Sequence, residues 1–428
     1  MDLLVPHADD RKRVHEAQEA VINSIDRDRL VGMALDVVGI SSPTGSEQAM
    51  GEHMRDVYRS MGLKVAWQEV EEGRPNVLAT LEGTGGGKSL MFNGHMDTSY
   101  SGREPWLEGI PGFQPHGFVE DGRIYGLGIS NMKGALCCYV EAVAALQDAG
   151  VRLRGDVLLA NVCGEIEKTQ WGHEYRGKEY RGYAAGSRYL PSHGGIADYC
   201  ILGEPTEQKI VLAHYGAVWM RISTRGPFIH TAFSESRLPE NSIVRMRDVL
   251  DAVIEWIPEW EARTAYDGSP GIVNIGCVNG GFPWRVSRTP HRTDVFIDAR
   301  VPPTMEMTEA VRELNAFARG LRERFPEHGI EWEIYVTAPG ASIEPDHPMV
   351  RAIEASHERV FGRPPETDTV RWFSDASALT RYGIASVNYG TSSGLPDAKL
   401  GENLEIDGLV KMATVYALAA MEICAVAA

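Results

Sequence analysis

The chain has 428 residues, is 43% hydrophobic and carries 42 basic against 59 acidic residues, a formal net charge of −17. That length predicts two domains, each with its own core. The acidity argues against a surface for nucleic acid or anionic membrane, but does not by itself identify the small-molecule substrate expected below. No stretch reaches membrane-spanning length, and the charged first twelve residues show no secretory signal. The six cysteines, Cys137, Cys138, Cys163, Cys200, Cys277 and Cys424, form no Cys-x-x-Cys pair. Reduced core thiols in a cytoplasmic protein are therefore expected.

Residues 10–30 read as a charged surface helix. Ser46-Glu47 opens a helix that runs to about Ser60 and stops at Gly62. Residues 76–81 and 89–92 are strand-like and flank Thr84-Gly85-Gly86-Gly87, the pattern of a hairpin. The second of these strands ends in Asn93-Gly94-His95-Met96-Asp97. A helix is predicted from about Asn131 to Ala149, where Met132, Ala135, Leu136, Tyr139, Val140 and Val143 recur at helical spacing and Gly150 ends the run. Residues 157–162 form a buried strand leading into Gly164-Glu165-Ile166-Glu167, and residues 199–202 another leading into Gly203-Glu204-Pro205-Thr206.

Strands alternating with helices predict an α/β sheet, whose ligands gather at the carboxyl ends of the strands. His95, Glu165 and Glu204 each fall just after a strand and so can converge. From about Ala213 to Thr337 the rhythm changes: strand 218–224, helix 239–262, strands 272–278 and 294–299, helix 308–324, strand 331–336. That β-α-β-β-α-β order is a ferredoxin-like split unit. It reads as a lid, residues 213–337, inserted into a first domain of residues 1–212 and 338–428. The chain returns through 350–361 and 374–383 to a final helix, 406–428.

The triplet His95-Met96-Asp97 puts an imidazole and a carboxylate on one side of an extended segment. A carboxylate so placed can orient a ligand histidine through its other nitrogen, although a structural histidine would look the same. Residues 126–134, Gly-Leu-Gly-Ile-Ser-Asn-Met-Lys-Gly, lack the third glycine of a dinucleotide fingerprint. They suit a turn that sets a polar side chain, Asn131, at a helix start; an ordinary helix cap fits equally.

Taken in order, several pieces resemble the M20 metallopeptidases and amidohydrolases, a family that includes aminoacylases, succinyl-diaminopimelate desuccinylases and carboxypeptidase G. They are His95-Met96-Asp97, residues 126–134, Gly164-Glu165, Gly203-Glu204-Pro205-Thr206, His230 with Asn241, Gly280-Gly281, Asp298-Ala299-Arg300 and Ser374-Asp375-Ala376. The resemblance covers nearly the whole chain. It implies a catalytic α/β sheet domain of the zinc-peptidase type with an inserted lid/dimerisation domain, a homodimer at least, and hydrolysis of a C–N bond at two metals around a bridging aspartate. By position it implies His95 and Glu204 as ligands of one metal, with Asp97 behind His95. Glu165 becomes the general base toward a metal-bound water. His230 becomes a lid residue that reaches the partner subunit's site and steadies developing negative charge; an exposed lid histidine is the plainer reading.

The chain also departs from that pattern. Asn131 stands at the bridging aspartate, Ile166 at the second glutamate, Lys399 at the C-terminal histidine ligand, and Arg285 at the asparagine of the Gly-Gly-x-x-x-Asn stretch. Isoleucine offers no lone pair and a protonated lysine repels a cation. The expectation is one divalent transition metal per chain, manganese or zinc, held by His95, Asn131 and Glu204, with Glu167 as an alternative ligand. One metal fewer leaves less to stabilise an amide oxyanion. The altered ligands resemble those of a family member that hydrolyses the aromatic amine of 5-nitroanthranilate and releases ammonia. Arg285, Lys399 or Arg371 then pairs with a substrate carboxylate or nitro group, and Asn241 joins the candidate substrate contacts. Ordinary amide or peptide hydrolysis and a non-catalytic binding role are the alternatives; the retained Glu165 argues against the last. Residues 168–189 read as an insertion whose aromatics and mixed charges suit either an interface beyond a dimer or a solvated loop.

Overall fold

A computed structural model describes residues 8–392 and 400–427. It divides into two compact units, one running to Leu212 and taking in Ser342–Asp368 and Ala378 onward, the other comprising Ala213–Ala341 and Thr369–Ser377.

The sheet of the first unit has the strand order Lys64–Glu71, Arg74–Leu81, Val157–Val162, Leu90–His95, Tyr199–Leu202, Ala385–Asn388, Ile210–His214. Leu90–His95 runs parallel to both of its neighbours. It and Val157–Val162 are buried along their whole length, as strands covered on both faces must be. The helices Gly134–Asp148 and Ile406–Cys424, also largely buried, share their core.

Two local expectations are corrected here. The hairpin between 76–81 and 89–92 does not form. Arg74–Leu81 instead pairs antiparallel with Lys64–Glu71 across Glu72-Gly73, and on its other edge with Val157–Val162. A strand as apolar as Leu90–His95 needs a neighbour on each side, which places it inside the sheet. The helix expected over residues 10–30 is two, Ala8–Ser24 and Arg27–Val38. Asp26 is extended, and its carboxylate accepts the N–H groups of Asp28 and Arg29, which starts a new helix. That second helix buries Leu30, Ala34, Val37 and Val38, so it belongs to the core rather than to a surface arm.

The second unit is a four-stranded antiparallel sheet in the order Val273–Gly280, Arg292–Val301, Gly216–Arg225, Glu331–Ala338. The helices Ser242–Arg263 and Met307–Arg324 close one core with it, built from Val218, Met220, Ile222, Met246, Val249 and Leu314 among others. Chain order and strand order together are those of a ferredoxin-like unit.

Five of the six cysteines are buried, Cys277 is exposed, and all six are free thiols. No helix among the described residues is long and apolar enough to cross a membrane.

Candidate metal centre

Three adjacent parallel strands end side by side, and each delivers one polar residue. His95 closes the middle strand, opposite Val162. Glu165 follows Val162 through Cys163-Gly164, and Glu204 follows Leu202, which lies opposite Asn93. His95 is 0% exposed, Glu165 7% and Glu204 6%. One donor atom from each of the three lies within 4.8 Å of the others. Nε2 of His95 is 3.9 Å from an oxygen of each carboxylate and 2.9 Å from Oδ1 of Asn131.

Asn131 arrives on a separate turn, Ile129–Lys133. Gly128 opens that turn at φ 82°, and a β-carbon there would lie 2.6 Å from the Thr98 side chain. The Asn131 backbone is extended (φ −129°, ψ 93°), and the helix starts only at Gly134. Asn131 is therefore neither the first residue of that helix nor its cap. The apolar period of the helix continues backwards into the wide turn, which carried the sequence reading too far.

Nδ1 of His95 lies 2.8 Å from the main-chain carbonyl of Asp97. A carbonyl only accepts, so Nδ1 carries a proton; Oδ1 of Asn131 also only accepts, so a proton shared with Nε2 must leave before Nε2 presents its lone pair to a cation. Nε2, Asn131 Oδ1 and the oxygens of Glu165 and Glu204 thus bring lone pairs together in a buried space. Burial raises the pKa of Glu204, the charge of Asp97 adds to the rise, and His95 opposes it. Nitrogen and oxygen donors gathered out of water fit a divalent cation, which supplies the compensating charge.

The Asp97 carboxylate does not orient the ring as the His-x-Asp pattern suggested. It stands 3.6 Å from Nδ1. It accepts the Thr44 hydroxyl at 2.8 Å and the N–H groups of Glu165 at 3.0 Å and Ile166 at 3.4 Å. Its carbonyl holds the imidazole while its carboxylate holds the turn that bears Glu165. The strand ends at His95, so side-chain alternation no longer governs Asp97.

Two supports were missed in the sequence. The Tyr139 hydroxyl donates to the Asn93 carbonyl at 2.9 Å and accepts the Gly203 N–H at 2.5 Å, tying the strand of His95 to the loop of Glu204. A tyrosine in an otherwise apolar helix stripe was the available signal, because a buried hydroxyl needs partners. Glu402 accepts the Gly128 N–H at 2.9 Å and the Ser130 hydroxyl at 3.1 Å, and so anchors the turn of Asn131.

Burial lifts the Glu402 pKa from 4.5 to about 7. The folded chain then holds this proton more tightly than the unfolded chain. The stabilisation is complete below 4.5 and is lost as pH rises through about 7. Urea midpoints of the wild type are expected to fall over that window relative to Glu402→Gln. Parallel pH profiles for the two proteins would remove the assignment.

The structure thus gathers His95, Asp97, Asn131, Glu165 and Glu204. Glu167 is half-buried and stands outside the cluster. His230, Asn241, Arg285 and Arg371 belong to the second unit. Nδ1 of His230 accepts the Ala232 N–H at 3.1 Å, and Oδ1 of Asn241 accepts the Ile243 N–H at 2.9 Å as the cap of helix Ser242–Arg263. Arg285 and Arg371 are exposed. Lys399 lies outside the described residues.

Residues 91–422 match the model of the peptidase family M20/M25/M40. The chain belongs to this family and is a metal-dependent hydrolase of C–N bonds. It is 27% identical over 355 residues to the acetylornithine deacetylase of Vibrio atlanticus (strain LGP32), covering 81% of this chain and 85% of that one. It is 24% identical over 433 residues to the N-formyl-4-amino-5-aminomethyl-2-methylpyrimidine deformylase of Bacillus subtilis (strain 168), covering 94% of each. Among solved structures it resembles the aminopeptidase PepT of Bacillus cereus ATCC 10987, with a TM-score of 0.72, 21% identity and coverage of 94% of this chain and 99% of that one.

Proposed function

We propose that this chain is a one-metal aminohydrolase that replaces the amine of an activated aromatic ring with hydroxyl, 5-nitroanthranilate giving 5-nitrosalicylate and ammonia. The observation that carries the reading is the donor set. Among the described residues only His95, Glu165 and Glu204 of the histidines, cysteines and acids join the cluster, with Asn131 beside them. Ile166, next to the base, contributes only its main chain, its N–H going to Asp97. Bound by His95, Asn131 and Glu204, a manganese or zinc ion would acidify a water and hold it for attack.

Glu165 would take a proton from the attacking water as the water's oxygen bonds to the ring carbon bearing the amine. The ring and the para nitro group take up the electron pair. Glu165 then returns the proton to the amine, the C–N bond breaks, the electron pair leaves with nitrogen, and ammonia departs. Charge develops on the nitro group rather than on an amide oxygen, so one cation suffices. Arg285, Arg371 or Lys399 would pair with the substrate's carboxylate or nitro group, His230 would act from a partner subunit, and the working form would be a cytoplasmic homodimer or larger.

The names of the relatives, a deacetylase and a deformylase, favour a second reading, removal of an acyl group from a small amide. One assay separates the two. The metal-loaded enzyme is incubated with 5-nitroanthranilate and, separately, with N-acetylornithine, and ammonia and acetate are measured. Acetate without ammonia overturns the first reading. Metal analysis expects one ion per chain, and two tightly bound ions would sink the one-metal reading.

Asn131→Asp adds a charge to the ligand set. It is expected to tighten metal binding by about tenfold or more, each ~1.4 kcal/mol being one decade. Unchanged metal affinity in a competition titration would remove Asn131 from the ligands.

A further inference from the structure

Arg74 is buried in full, and its guanidinium is shared among three segments. Nε and Nη2 grip Glu47 at 3.0 and 2.8 Å, and Glu47 is itself 0% exposed. Nη1 donates to Glu71 at 2.7 Å and to the main-chain carbonyl of Arg181 at 2.8 Å. A buried ion pair of this kind is weak evidence for stability, since apolar replacements often do as well. What the planar fork supplies is geometry: one rigid group fixes several directions at once.

Those bonds seat the guanidinium against the turn that carries Glu165. Gly164 sits at φ 65°, and a β-carbon on it would lie 2.4 Å from Arg74 Nη2 and 3.0 Å from the Arg181 carbonyl. The guanidinium is therefore the floor of that turn. The segment just after Arg181 is bonded to the same turn, Tyr183 N–H to the Ile166 carbonyl at 3.0 Å, Ala185 N–H to that of Gly164 at 2.9 Å and Gly186 N–H to that of Cys163 at 2.8 Å. Arg74 thus packs beneath the turn that bears Glu165 and bonds the strip that borders it.

We propose that Arg74, seated by Glu47, is a positioning residue that sets where Glu165 stands relative to His95 and Glu204. The proposal rests on the reading of Glu165 as the base. It also gives the inserted segment a consequence, because residues 168–181 leave from and return to the turn that Arg74 pins.

The test uses the metal-loaded full chain with whichever of the two substrates above it turns over, and kcat is referred to folded, metal-loaded protein. Arg74→Lys keeps the charge and loses the fork. It is expected to bind metal normally, to lower kcat by about tenfold or more and to move KM by less than about twofold, since small misplacements of a catalytic group are costly. Gly164→Ala is expected to act alike. The double variant is expected to be no worse than the poorer single, because both act through one contact. If Arg74→Lys does not fold, Glu47→Gln, which loosens the same fork, is expected to give the same pattern. A variant with wild-type kcat and a lowered melting temperature makes Arg74 merely structural and overturns the proposal, as do losses that multiply in the double variant. In a Glu165→Gln background Arg74→Lys should add nothing. Should Glu165→Gln itself stay active, the reading of the base fails and takes this proposal with it, an outcome distinct from an inert Arg74.

Discussion

Glu165→Gln is expected to give a folded, metal-loaded protein whose kcat is lower by a factor on the order of 10²–10⁴, the range supplied by general acid–base catalysis. The substitution keeps the volume of a side chain that is 7% exposed. It also keeps the main-chain N–H that donates to Asp97 at 3.0 Å, so the turn stays anchored. What it removes is the basic oxygen 3.9 Å from His95 Nε2. With a glutamine there, the attacking water has no acceptor for its proton and the leaving nitrogen no donor. Metal content by mass spectrometry and the melting temperature should stay at wild-type values. A variant within about tenfold of wild type would mean that the proton goes elsewhere.

The parts of this site that could be read in the sequence are those fixed by local pattern. His95, Glu165 and Glu204 each end an apolar strand run, and a parallel sheet brings such ends to one edge. The ferredoxin-like order of the second unit was legible because strand and helix periods alternate cleanly there. The missing parts depend on contacts between distant segments. Nothing local announces that Arg74 meets Glu47, since a charged residue at the start of a strand ordinarily faces water. Nothing local says that the carbonyl of Asp97, and not its carboxylate, takes the imidazole proton. Asn131 was recognised as a polar residue in a glycine-rich turn, but its extended backbone was hidden by the apolar residues beyond it. Asn241, a candidate substrate contact by position, also gives its amide oxygen to the cap of a helix, a partner that only the fold reveals.

The second large effect concerns His95, where two substitutions separate metal binding from folding. The imidazole does two things with its two nitrogens. Nδ1 donates to the Asp97 carbonyl at 2.8 Å, and Nε2 faces Asn131, Glu165 and Glu204. Asparagine can place its amide N–H near the former Nδ1 but has nothing near Nε2. Glutamine can place an oxygen near Nε2 but leaves the carbonyl of Asp97 without its donor, at a cost of about 1–3 kcal/mol when buried. His95→Asn is therefore expected to fold and to lose the metal, its occupancy after desalting falling to about a tenth or less and turnover with it, because second-sphere support cannot replace a missing ligand. His95→Gln is expected to be the less stable of the two and to retain more metal. Calorimetric melting and metal analysis of the two variants side by side read both effects. If His95→Asn keeps a full equivalent of metal, the imidazole is not a ligand, and the centre must then be built on Asn131 and the carboxylates.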